Sequence, residues 1–243
     1  MGFLWHEVRS AIPLIVSGNG YVLAVAWVTI RIAAISTAAA LVIGLPIGLT
    51  IGLGRFRGRR ALHLLANASL ALPSVIVGVF VLLLTLPPGP FGELRYAFTI
   101  KAVYVAQTIL ALPYIIALTP AAIQGLPPGL LAQARILGAG RRHLSVLALR
   151  EAKIGVLAAI IAALGASLSE VGAVIIVGGN IQNYDQTLAS AVVQQVNDYA
   201  NYPYAVGISL VLLGLIVLLI GTLTVIQQRA GGLHLRFRTG FET

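Results

Sequence analysis

The sequence contains five apolar stretches, each long enough to cross a lipid bilayer, and these constrain the fold most strongly. A helix rises about 1.5 Å per residue, so about 20 mainly apolar residues span the hydrocarbon layer. The stretches cover residues 21–53, 61–86, 100–124, 154–177 and 204–227. With 58% hydrophobic and 9% charged residues, the chain has too few polar side chains to cover a water-soluble globule of 243 residues. The sequence therefore predicts an all-α integral membrane protein.

Lysine and arginine are concentrated in three of the segments that connect or follow these stretches. The basic segments are residues 55–60, 135–153 and 229–238, whereas the connection of residues 178–203 has no cation. Cytoplasmic loops carry an excess of lysine and arginine, and five spans put the three basic segments on one side. We therefore expect a multi-pass protein of the cell membrane with its N-terminus outside and its C-terminus in the cytoplasm. The same rule explains the net charge of +9 without a nucleic-acid partner.

These spans divide the chain into three parts. Residues 1–20 are expected to form an interfacial segment, residues 21–228 the transmembrane domain, and residues 229–243 a cytoplasmic C-terminal tail. The tripeptide Ala-Leu-Pro occurs twice within spans, and its prolines, Pro73 and Pro113, predict two kinks because proline removes a helical hydrogen bond.

The connection between the third and fourth spans, at about residues 125–153, is too polar to be a span and too long for a minimal turn. Its pattern predicts two short helices separated by Gly138-Ala139-Gly140. A short helix with an apolar face that projects from the membrane suits docking into a groove on a soluble partner, although an ordinary amphipathic surface helix has the same pattern. For its arginines, the topology rule is an equally good explanation. The candidate docking residues are Arg135, Leu137, Gly138, Ala139, Arg141, Arg142 and His143.

One carboxylate, Glu170, lies inside the fourth stretch among small and apolar residues. A charged side chain exposed to lipid is costly, so we expect Glu170 to face the bundle interior or an interface and to tie its span to the turn at residues 178–180. Hydroxyl groups within spans could line a polar pathway, but in a packed bundle each more often forms a hydrogen bond between helices. The candidate gate and pathway residues are Ser74, Thr108, Ser167, Ser169, Glu170, Gly178, Gly179 and Asn180.

A longer segment carries a resemblance to a known family. Residues 149–182, LREAKIGVLAAIIAALGASLSEVGAVIIVGGNIQ, are similar to the permease subunits of type I ABC importers for tetrahedral oxyanions, and most closely to the tungstate branch. In those permeases a span of small residues leads into S/G-E-x-G-A, here residues 169–173, and ends in G-G-N or A-G-N, here residues 178–180. The resemblance extends more loosely through ALPSVIVGV and AQTILALP. The loop motif of the family, E-A-A-x-x-x-G, is matched at Ala134 and Gly138 but lacks its leading glutamate.

The resemblance implies a five-transmembrane-helix type I ABC importer permease (MetI-like) core with a cytoplasmic coupling helix that contacts the ATPase. It implies import of a tetrahedral oxyanion into the cytoplasm, with tungstate ahead of molybdate and sulfate, driven by ATP hydrolysis on a separate subunit. The implied partners are ATP-binding cassette subunits, an extracytoplasmic oxyanion-binding protein, a second copy of this chain in a homodimer, and membrane lipid.

The residues required for catalysis by this chain itself are missing from the sequence. The two lysines, Lys101 and Lys153, stand outside any phosphate-binding Gly-Lys-Ser/Thr pattern, and the four histidines are scattered, so we expect no ATPase site, no metal site and no cofactor. Transport energy must then come from a partner or from an ion gradient. The alternative function is a proton-coupled secondary transporter in which Glu170 relays protons, but the sequence shows none of the inverted repeats usual in such carriers.

Overall fold

The structure is a computed structural model that describes residues 2–16 and 19–238. Residues 239–243 of the predicted C-terminal tail lie outside this range. The described part contains eleven α-helices, one short 3-10 helix at Gly92–Leu94, and no strand. The α-helices are α1 (Gly2–Val16), α2 (Gly20–Leu53), α3 (Arg59–Ser69), α4 (Ser74–Thr85), α5 (Ile100–Gln124), α6 (Leu130–Ile136), α7 (Arg141–Glu151), α8 (Lys153–Ser169), α9 (Gly172–Gly178), α10 (Leu188–Asn197) and α11 (Tyr202–Arg238).

Three helices, α2, α5 and α11, are each long and apolar enough to cross a membrane. Two pairs of helices that meet at a sharp bend pass the same test of length and composition together: α3 and α4 meet at 100°, and α7 and α8 meet at 72°. If each bent pair is counted as one span, the described residues contain up to five spans, judged by length and composition. The predicted all-helical fold is confirmed, but the second and fourth stretches are not the single continuous helices that their hydropathy predicts.

The second stretch is interrupted at a proline. Helix α3 ends at Ser69, and α4 begins only after Pro73, whose missing N–H and restricted preceding residue disfavour a continuous helix. The predicted kink is therefore a complete break. Pro113 in the second copy of the tripeptide behaves differently, because α5 continues through it and through Pro120 without interruption.

The fourth stretch is interrupted near its C-terminal end. Helix α8 ends at Ser169, residues 170–171 leave the helical conformation, and the short α9 follows. Helix α9 packs against α4 and α5, and a Cβ atom added at Gly78 of α4 would lie 2.9 Å from the Cα atom of Ala173. Valine side chains from α4, α5 and α9, including Val77, Val103 and Val174, form a buried cluster around this contact.

Helices α2 and α5 form the most extensive helix pair, and glycines make their close approach possible. Gly44, Gly48 and Gly52 recur every four residues along α2 and face α5. A Cβ atom at Gly48 would lie 2.8 Å from the Cβ atom of Thr119, and one at Gly44 would lie 3.1 Å from that of Ile115. Small residues at this spacing let two backbones pack closely where lipid provides no hydrophobic driving force between helices.

The three basic segments lie at one end of the helix bundle, as five spans require. Arg59 donates hydrogen bonds to the last carbonyl groups of α2, and a guanidinium nitrogen of Arg135 lies 3.5 Å from the carbonyl oxygen of Leu53. At the same end, the amide of Gln227 in α11 donates to the carbonyl oxygen of Ile154 at 3.1 Å.

The predicted N-terminal segment is helical and packs against α11. Helix α1 includes Pro13 and extends to Val16. Its placement at the membrane interface stays a prediction, as does the division of the chain at residues 21 and 229.

Candidate functional site

The loop between α5 and α8 has the predicted helix-break-helix form. Helix α6 ends in a Schellman motif: the N–H of Gly138 donates to the carbonyl oxygen of Arg135 at 3.0 Å, and the N–H of Ala139 donates to that of Ala134 at 2.9 Å. Gly138 has a φ of +84°, which glycine adopts without the steric cost that a Cβ atom adds. The glycine is thus required by the turn itself.

Two large apolar side chains are exposed side by side at the end of α6. Ile136 is 85% exposed and Leu137 is 87% exposed, while Leu131 on the inner side packs against buried residues of α5, α7 and α8. Leu137 is one of the docking residues predicted from the sequence. Ile136 is not among them, although its position beside Leu137 at the end of the helix indicates the same apolar surface. We call Ile136 and Leu137 the exposed tip. It gives the loop an apolar surface that a partner could cover.

Basic side chains flank the exposed tip along the chain. Arg141, Arg142 and His143 occupy the exposed first turn of α7, where a positive charge opposes the helix dipole and therefore does not stabilise the helix. Arg142 and His143 line a shallow pocket of about 400 Å³ with Arg150. Arg135 instead reaches the C-terminal end of α2, so part of its role is to hold the loop against the bundle.

A second candidate site is a small cavity of about 80 Å³ lined by the α3–α4 break, α5 and the last turn of α8. Three predicted pathway residues, Ser74, Ser167 and Glu170, line it. The structure adds Gln107 and Tyr114 of α5, which the sequence analysis did not single out. We call this space the central cavity.

The other two predicted hydroxyl groups do not line the central cavity. The hydroxyl of Thr108 donates to the carbonyl oxygen of Tyr104 at 2.6 Å, and that of Ser169 donates to the carbonyl oxygen of Gly165 at 3.1 Å. Both hydroxyl groups therefore bond to the backbone of their own helices, and not to a neighbouring helix as the alternative explanation had it.

Glu170 connects α8 to α9. Its Oε1 atom accepts a hydrogen bond from the N–H of Ala173 at 3.0 Å, which satisfies one of the free donors in the first turn of α9. A Cβ atom built on Gly172 would lie 3.1 Å from the Oγ atom of Ser74 and 3.6 Å from Glu170 Oε1, so both groups lie beside the start of α9. A carboxylate is useful at this break because lipid offers no water to the freed backbone groups.

The predicted tie between Glu170 and the Gly178-Gly179-Asn180 turn is wrong, because these residues lie at opposite ends of α9. Gly179 and Asn180 both have positive φ values, of +87° and +57°, so the turn ends the helix. A Cβ atom at Gly178 would lie 2.5 Å from the Oδ2 atom of Asp185. The turn therefore requires glycine for close approach, and it packs on Asp185.

Asp185 is a buried acid in the connection between α9 and α10, and sequence reasoning missed it. Its side chain is 0% exposed, and its Oδ1 atom accepts a hydrogen bond from the N–H of Ile181. Burial raises the pKa of the carboxyl to about 6, and the hydrogen bonds from the backbone lower the pKa only in part. Among the described residues, no group of three or more histidines and acids is placed to hold a metal ion.

Comparisons with known proteins agree with this architecture. The family described as "Binding-protein-dependent transport system inner membrane component" matches residues 44–231. A probable anion ABC transporter permease protein of Haloferax volcanii is 32% identical over 202 residues, which cover 81% of this chain and 87% of that protein. The tungstate uptake system permease protein TupB of Peptoclostridium acidaminophilum is 29% identical over 213 residues, or 88% of this chain and 93% of that protein.

A solved structure has the same fold. A chain of the bacterial alginate ABC transporter, crystallised in complex with an alginate pentasaccharide-bound periplasmic protein, superposes with a TM-score of 0.74. The match covers 95% of this chain and 89% of that chain at 13% sequence identity, which supports the fold alone.

The family match begins within α2 and extends into α11, so it includes the helix-break-helix loop, the central cavity and the turn after α9. The expectation of a transporter subunit whose ATPase is a separate protein is confirmed by this membership. The chain belongs to the family of inner membrane components of binding-protein-dependent transport systems, the permease subunits of ABC importers.

Proposed function

We propose that this chain is the membrane-spanning subunit of an importer for a tetrahedral oxyanion, tungstate ahead of molybdate and sulfate. ATP hydrolysis on separate subunits drives the import. The substrates named for two relatives that cover most of this chain, an anion and tungstate, support this class of cargo. The sequence resemblance from residue 149 to residue 182 supports the same class independently of their names.

The exposed tip is the observation that carries the coupling to an ATPase. Fully burying a leucine or isoleucine side chain contributes about 1.5 to 3 kcal/mol, so covering both tip residues contributes about 3 to 5 kcal/mol in total. Gly138 fixes the backbone directly after the tip, and packing of Leu131 holds its base. A secondary transporter has no comparable use for such a surface.

The remaining partners and the orientation follow from the same proposal. The basic end of the bundle, which includes the tip, faces the cytoplasm, where the ATPase subunits are. The opposite end, with α10 and the turn after α9, faces an extracytoplasmic binding protein. A second copy of this chain completes the membrane part of the complex.

Reconstitution tests the transport reaction. The chain, its ATPase and its binding protein are placed in liposomes, and uptake of labelled tungstate is measured with molybdate, sulfate and phosphate as competitors. We expect uptake that needs ATP and the binding protein, with tungstate as the strongest competitor. Uptake by this chain alone, driven by a pH gradient, would instead establish the proton-coupled alternative through Glu170 and overturn the proposal.

Variants of the tip test the coupling. Leu137→Asp is expected to abolish co-purification of the ATPase, because a charge cannot enter an apolar groove without a partner. Leu137→Met keeps size and polarity and serves as the matched control, with co-purification and uptake retained. Equal co-purification for both variants would contradict docking through the tip.

A further inference from the structure

We propose that the central cavity is an oxyanion-contact site within the membrane, in which the amide of Gln107 and the hydroxyl of Ser167 donate hydrogen bonds to the passing anion. This inference rests on the proposed function and names the residues of this chain that would touch the cargo. It assigns a role to Gln107, which belongs neither to the coupling loop nor to the turns.

The first argument is that Gln107 is buried without a partner. Its side chain is 0% exposed, and neither Nε2 nor Oε1 has a hydrogen-bond partner in the described part of the chain. The Oγ atom of Ser167, on the facing helix α8, is likewise buried and unpartnered. Buried polar groups are almost always hydrogen-bonded, so two unpaired groups that line the same cavity indicate a polar occupant.

The second argument concerns the size of the cavity and its donors. A volume of about 80 Å³ accommodates two or three water molecules, at about 30 Å³ each, or one small polyatomic anion. Around it stand the amide NH₂ of Gln107 and the hydroxyl groups of Ser167, Ser74 and Tyr114, all of which can donate to anion oxygens. These donors come from three separate parts of the fold, so they surround the space.

The third argument is that the lining of the cavity lets a bound anion leave again. Neither lysine nor arginine lines the central cavity, so a dianion meets uncharged donors and is not trapped by a permanent cation. One oxygen of Glu170 accepts a hydrogen bond from the N–H of Ala173, which holds this side chain at the wall of the cavity. A transport pathway needs contacts that are favourable but weak.

The test compares Gln107→Met with Thr119→Val in the reconstituted complex. Methionine has a length similar to glutamine but offers no N–H donor. Thr119 is the matched control because it lies on the same helix and is also fully buried with an unpartnered hydroxyl, yet it does not line the cavity. Three quantities are measured: assembly with the ATPase, ATP hydrolysis stimulated by the loaded binding protein, and tungstate imported.

For Gln107→Met we expect the number of tungstate ions imported per ATP to fall roughly tenfold, the effect of losing one hydrogen bond to a charged group. Assembly and stimulated ATP hydrolysis should stay within about twofold of wild type. Thr119→Val should match wild type in all three measurements. Ser167→Ala is a second, smaller change on α8 and should also lower the number of tungstate ions imported per ATP. It tests the inference if Gln107→Met fails to assemble.

The outcomes separate this inference from the proposed function. Absence of ATP-dependent oxyanion uptake by the wild-type complex would refute the proposed function, and this inference with it. Wild-type uptake together with an unchanged import ratio in Gln107→Met and Ser167→Ala would show that the cavity holds water only. A parallel loss of ATP hydrolysis and uptake in these variants would indicate a structural role and also overturn the inference.

Discussion

Replacing Asp185 with asparagine is expected to remove a pH dependence of stability that the turn after α9 creates. Burial raises the pKa of the Asp185 carboxyl from 3.8 to about 6. The native state then binds the proton more tightly than the unfolded chain, so the free energy of unfolding falls as pH rises from about 4 to about 6 and is level above that. At 1.36 kcal/mol per pH unit, the difference between the two pKa values corresponds to on the order of 3 kcal/mol.

The assay is the apparent unfolding temperature of the detergent-solubilised protein between pH 4 and pH 8. Asparagine keeps the oxygen that accepts from the N–H of Ile181 and cannot ionise, so the turn is retained and only the titration is lost. The unfolding temperature of Asp185→Asn relative to wild type should therefore rise between pH 4 and pH 6 and then stay constant. Asp198→Asn, at the exposed C-terminal end of α10, is the matched control and should keep the pH dependence of wild type. Parallel curves for Asp185→Asn and wild type would refute the reasoning.

Three further predictions concern glycines and the break after α8. Gly138→Ala forces an L-residue to a φ of +84°, which costs about 1 to 2 kcal/mol. ATPase binding, measured by titration, should therefore weaken by about 5- to 30-fold. The control is Gly140→Ala, at a φ of −70°, which should bind the ATPase normally. Glu170→Gln keeps the hydrogen bond to α9 and should assemble, whereas Glu170→Leu should lose about 1 to 3 kcal/mol and unfold at a lower temperature in a thermal scan. Gly48→Leu should clash with α5 and lower the yield of folded protein on size-exclusion chromatography, whereas Gly221→Leu, where an added Cβ meets nothing within 4 Å, should not.

Local patterns in the sequence were enough to predict several features. Apolar stretches of sufficient length predicted the spans, because every backbone group must be satisfied within a helix once water is absent. The distribution of lysine and arginine placed three segments at one end, and contacts of Arg59 and Gln227 agree with that arrangement. The break at Gly138 was also predictable, since a glycine that ends a helix acts through its own backbone.

Breaks within spans depended on tertiary structure. The same tripeptide, Ala-Leu-Pro, separates two helices at Pro73 but lies inside a continuous helix at Pro113. Proline removes a hydrogen bond in both places, and the surrounding helices determine whether the chain turns or continues. Hydropathy does not show this difference, because each tripeptide lies within a stretch that is apolar enough to be a span.

The polar sites depended on tertiary structure most of all. Gln107 is an isolated amide in an apolar helix, and Asp185 is an isolated acid in a long connection, so neither has a pattern of neighbours that marks it. Their roles arise because packing brings Ser167 opposite Gln107 and places Gly178 against Asp185. Which polar groups meet in a bundle is set by the rotation and separation of its helices, and the sequence determined the helices but not those contacts.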